Sequence, residues 1–153
     1  MSESTHTPED LGPYLNAALI CEKALKEQDG VLSAIRIVDR ITHMAPSEVM
    51  VPFTYRFNLL LNFKSGQALG PYQISIQPIK PGSKEKLPAA SYPVNFESPE
   101  DRGVQICAEM QIQFDVPGVW WFDIYLTGGD RVRRVSRIPF RIIYLPHPGQ
   151  MSG

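Results

Sequence analysis

Helical periodicity, clustered metal ligands and a surplus of either charge are all missing from this chain of 153 residues. Fifteen lysines and arginines stand against sixteen aspartates and glutamates, a formal net charge of −1. That balance disfavours a dedicated nucleic-acid binder or an anionic-membrane binder, whose domain is normally strongly basic. Cysteine is scarce, with only Cys21 and Cys107, and no apolar leader precedes them. Free thiols and a cytoplasmic location are therefore expected. No apolar run approaches the ~20 residues of a membrane span, so no membrane partner is expected. The histidines His6, His43 and His147 are too dispersed to suggest a metal site, and no phosphate-cradling glycine loop or G-x-S-x-G elbow occurs. No catalytic residue, metal or cofactor is expected, and the chain reads as a non-enzyme.

Proline, by contrast, is abundant at 14 residues. Each interior proline costs a helix ~3 kcal/mol or more, which excludes helical bundles and coiled coils. The one stretch of helical composition, Cys21–Gln28, is too short to stand alone. Elsewhere the hydrophobic period is two. Phe53, Tyr55, Phe57, Leu59, Leu61 and Phe63 occupy every odd position of one segment. Val104, Ile106, Ala108, Met110, Ile112 and Phe114 occupy the even positions of another. Shorter alternations place Tyr72, Ile74 and Ile76, then Trp120, Phe122, Ile124 and Leu126, then Ile138, Phe140, Ile142 and Tyr144 on inward faces. Turn pairs separate them: Asp29-Gly30, Ser65-Gly66, Pro81-Gly82, Pro117-Gly118 and Gly128-Gly129. Asp29-Gly30 joins Tyr14–Lys26 to a strand over Val31–Ile41. The fold predicted is all-β, an antiparallel two-sheet β-sandwich of immunoglobulin-like or C2-like type with seven or eight strands. It spans 14–145, between a disordered tail at 1–13 and a flexible one at 146–153.

Three segments resemble a family of small bacterial proteins known only as a domain of unknown function. They are Ala18-Leu19-Ile20-Cys21-Glu22 with Asp29-Gly30-Val31-Leu32, then Ile37-Val38-Asp39-Arg40-Ile41, then Pro117–Ile124 with Arg137–Ile142. The resemblance implies a compact β-sandwich in a bacterial cytosol and carries over no catalytic residue.

Charge is unevenly spread: residues 131–141 hold five arginines and no acid. Both inward sets of the closing hairpin are even-numbered, so partners must sum to an even number. Pairing Phe122 with Phe140 meets that demand and leaves Gly128–Arg134 as a seven-residue loop. The outer face then sets Trp121, Asp123 and Tyr125 opposite Arg141, Pro139 and Arg137, with Arg131, Arg133 and Arg134 at the tip. Trp, Tyr and Arg are the types enriched at interface hot spots, and Pro139 marks an edge strand. The expected role is a protein-interaction module using this face, with a protein partner or a second copy joined through an edge strand. The other reading is a small-ligand or glycan binder in which Trp121 and Tyr125 form a stacking platform. Asp39 shares the inward phase of its strand, so Asp39 and Arg40 are expected as a structural ion pair toward the core.

Overall fold

The computed structural model describes residues 11–83, 85–97 and 102–147. Nine strands are present among them: β1 Tyr14–Lys26, β2 Leu32–Ile37, β3 Arg40–Ala45, β4 Phe53–Lys64, β5 Gly70–Ile79, β6 Ala90–Phe96, β7 Gly103–Phe114, β8 Gly118–Gly128 and β9 Arg131–Pro146. They form a four-stranded sheet, β2-β1-β4-β7, and a five-stranded sheet, β3-β9-β8-β5-β6. The second sheet is curled into a half-barrel. The helical composition of Cys21–Gln28 is overridden, because β1 extends through Lys26.

The period-two phases meet in one core. Phe57, Leu59, Leu61 and Phe63 face Trp120, Phe122, Ile124, Phe140 and Ile142, all buried. The contacts across the core are aromatic: Phe57 lies 5.5 Å from Phe122 and 5.8 Å from Phe140, and Phe114 meets Trp120 edge-on at 4.8 Å. Such geometries align the negative ring face with a positive ring edge, beyond the area they bury.

One strand expected from the sequence is two. The segment after the Asp29-Gly30 turn begins in the four-stranded sheet as β2, paired with β1. Arg36 adopts φ 57°, an uncommon angle for a residue with a side chain. The chain then crosses to the other sheet. Val38 N–H donates to Ile20 O of one sheet, while Asp39 O accepts from Arg141 N–H of the other. Beyond the joint β3 pairs with β9 in parallel, so the architecture is not purely antiparallel. The kink breaks the phase that was to carry Asp39 inward. Its side chain is 80% exposed, and its ion pair with Arg40, at 3.3 Å, lies on the surface instead of toward the core.

The opening hairpin closes with a three-residue loop. Gly30 N–H donates to Glu27 O, Glu27 N–H to Val31 O, and Gly30 takes φ 87°. This is a turn followed by a left-handed residue, which glycine adopts without steric cost. Residues 1–10 and 148–153 of the expected tails lie outside the described residues. Of the rest, Pro13 is buried and His147 N–H donates to Ala45 O. Tyr144 Oη donates to Ser47 O at 2.5 Å and so ties down the loop after β3.

Phe140 touches rings from both sheets, including Tyr55, Phe57 and Phe122. Phe140→Ala is expected to cost about 3–5 kcal/mol in urea unfolding. A loss below about 1 kcal/mol would mean that the two sheets do not share this core.

Candidate functional site

The closing hairpin is built differently from the even-sum expectation. Gly128 pairs with Arg131, so the turn is the two residues Gly129 and Asp130, with Gly129 at φ 62° as a II′ turn requires. Such a turn gives an odd sum and would drive Arg137 into the core. A β-bulge corrects it. Tyr125 pairs with Arg134 but Ile124 with Ser136, leaving Val135 as the extra residue. Parity is restored inside the strand instead of in the loop, and the seven-residue loop is not formed. From there Phe122 pairs with Ile138 and Trp120 with Phe140.

The shift by one pair changes every outward partnership. Arg137 lies opposite Asp123, Pro139 opposite Trp121, and Arg141 opposite Val119. Asp123 is the consequence: its side chain is only 1% exposed although it stands on the outer face. Arg137 holds it with two bonds, Nε to Oδ1 at 2.7 Å and Nη2 to Oδ2 at 3.1 Å. Arg134 Nη1 approaches Oδ2 at 3.6 Å. The Arg137 guanidinium also sits 5.3 Å above the Trp121 ring centre. Hydrogen bonding to Asp123, opposed in part by desolvation, raises the Arg137 pKa above its ordinary value. The planar fork matches a carboxylate in a way that lysine cannot.

Trp121, Asp123, Arg134 and Arg137 thus form one cluster, with Tyr125 beside it opposite Arg134. Arg133 turns away, and its Nη2 donates to Pro13 O at 2.7 Å. Arg131 is exposed at the tip. Arg141 is exposed and has Arg40 as its register partner on β3, so the arginine face continues onto a third strand. That extension could not be found by strand phase, because it arises from the parallel addition of β3.

Arg141 N–H points to β3, so by alternation Arg137 and Pro139 also present their backbone to that side. Pro139 therefore removes no bond to β8. β3 flanks β9 over residues 141–146, and that side of β9 is open over 131–139. The open part carries a proline, a bulge and several arginines, the devices that keep an edge from pairing with another chain.

A carboxylate with both oxygens already bonded is a poor general base. No group of three or more metal-ligating side chains occurs among the described residues. Within the four-stranded sheet, Cys107 on β7 donates its thiol to Asn58 Oδ1 on β4 at 3.5 Å. Desolvation first, then the charges of Cys21 and Glu109, raise its pKa above the ordinary thiol value. No helix among the described residues is long and apolar enough to cross a membrane.

Two predictions follow from these contacts. Arg137→Met leaves Asp123 buried and under-compensated, and is expected to lower the melting temperature by roughly 5–10 °C. Adding Asp123→Asn should return much of that loss, and simple additivity in the double-mutant cycle would show that the pair is not coupled. Cys107, kept protonated, should react with iodoacetamide at pH 8 more slowly than a free cysteine, and Cys21 only after denaturant is added. Fast labelling of the folded protein would contradict the stated environment.

No family model and no curated protein matches the chain.

Proposed function

We propose that the protein is a non-enzymatic interaction module, a β-sandwich of the immunoglobulin-like or C2-like kind, whose contact face is the outer surface of β8 and β9. The observation that carries this reading is the division of labour among the arginines. Arg137 and Arg134 are engaged by Asp123, whereas Arg131 and Arg141 have no ion-pair partner among the described residues. Asp123, the one buried acid among the described residues, is already in use, so the face presents uncompensated guanidiniums around a half-buried Trp121. Arginine and tryptophan held in this way lose little conformational entropy on binding, as interface hot spots require. An acidic protein surface is the complementary partner. The resemblance to uncharacterised bacterial sandwich proteins, and a cytoplasmic setting, belong to the same proposal.

As a glycan platform Trp121 is less well suited, because Arg137 covers one face of its ring. Oligonucleotide binding would draw on the same arginines without a supporting net charge.

Arg131→Glu combined with Arg141→Glu tests the proposal without touching the Asp123 cluster. The melting temperature should stay within a few degrees, since both positions are exposed. Proteins recovered with the wild type at low salt should be lost with the doubly reversed variant and retained with Arg131→Lys and Arg141→Lys. Identical recovery by all three would remove this face from the function. Binding of a single-stranded oligonucleotide by the wild type alone would transfer it to nucleic acid.

A further inference from the structure

Among the strands that end or border a sheet, β7 is the exception. β2 and β3 are only six residues each, and β2 contains Arg36 at φ 57°. β6 contains Pro93, and the open half of β9 has Pro139 and the Val135 bulge. β7 runs for twelve residues, Gly103–Phe114, without proline, lysine, arginine or bulge. It pairs with β4 on one side in unbroken register and with no strand on the other.

The phase of its open side is settled by the ladder. Ser65 N–H donates to Arg102 O, one step beyond the Lys64–Gly103 pair. Even-numbered residues of β7 therefore bond to β4, and the odd-numbered ones, Gln105 to Gln113, turn their N–H and C=O groups to the open side. No backbone bond from the described residues meets these groups. Beside Gln111, Ile112 and Gln113 lies an open cleft of about 430 Å³, bounded across from the strand by Leu87 and Pro88.

We propose that β7 pairs antiparallel with β7 of a second copy, about a two-fold axis at Ala108, joining the two four-stranded sheets into one. The sequence of the strand is self-complementary about that point. Val104 faces Ile112, Gln105 faces Gln111, Ile106 faces Met110, and Cys107 faces Glu109. Inward apolar residues meet inward apolar residues, polar meets polar, and every opposed pair on the outer face is odd with odd. Those are the residues whose backbone groups are open, so each pair can exchange two hydrogen bonds. A register centred on Glu109 would oppose two like charges, which is destabilising. An isologous contact of this kind closes at two copies. It lies on the four-stranded sheet, away from the β8–β9 face, so its test is independent of the function proposed above.

Analytical ultracentrifugation of the full chain should show a concentration-dependent dimer. Gln105→Lys with Gln111→Lys sets lysines opposite lysines and should give a folded monomer, its melting temperature lowered by only a few degrees through loss of the Arg56 Nε bond to Gln111 Oε1. Gln105→Lys with Gln111→Glu sets opposite charges together and should restore the dimer. Gln111→Pro removes an open-side donor without removing a bond to β4, and should also give a folded monomer. A wild type that stays monomeric at hundreds of micromolar, or a dimer that survives both lysines, would overturn the proposal.

Discussion

The structure turns on one extra residue. Val135 allows a strand that leaves a two-residue turn in odd register to bring Ile138, Phe140 and Ile142 back to the core in even register. A core strand cannot stand half in each phase, because a one-residue slip exchanges its buried and exposed sets. Without the bulge, either the turn must be rebuilt or Arg137 must be buried. With it, Phe140 reaches the rings of both sheets and Arg137 falls directly opposite Asp123. Core packing and the outer cluster therefore have the same cause.

That cluster joins stability to the face proposed for recognition. Asp123 on a fully wet face would be an ordinary exposed acid. Held under Arg137 and beside Trp121, it becomes a buried anion whose removal or unpairing is felt by the whole hairpin. In return it fixes two side chains, a guanidinium and an indole, that would otherwise be mobile on the surface. The remaining arginines, from Arg131 at the tip to Arg141 beside Arg40, extend the basic face over a rigid base. The near-neutral total charge conceals this arrangement, since most of the acids lie elsewhere in the chain.

Much of this was legible from alternation alone. The odd positions of β4 and the even positions of β7 and β8 are buried or half-buried as their phase dictates, because each strand has one apolar face. The closing hairpin was legible as a hairpin but not in its register. Parity demands a correction without saying whether it lies in the turn or in the strand, and a bulge leaves no mark on hydrophobic pattern. The outward position of Asp39 is not legible for a related reason. Alternation breaks between Arg36 and Val38, where the chain changes sheets, and the signal for that crossing is a backbone angle that arginine does not advertise. The parallel pairing of β3 with β9 is a long-range event, so its gift of Arg40 to the arginine face had no local signature.

The central claim is the register of β8 against β9, and cross-strand proton contacts in solution report it directly. Asp123 and Arg137 form a pair without mutual backbone bonds, where α-protons approach closely. A strong Hα–Hα nuclear Overhauser effect between Asp123 and Arg137 is the result expected of the Val135 bulge. An effect between Asp123 and Pro139 instead would establish the seven-residue loop and contradict the account.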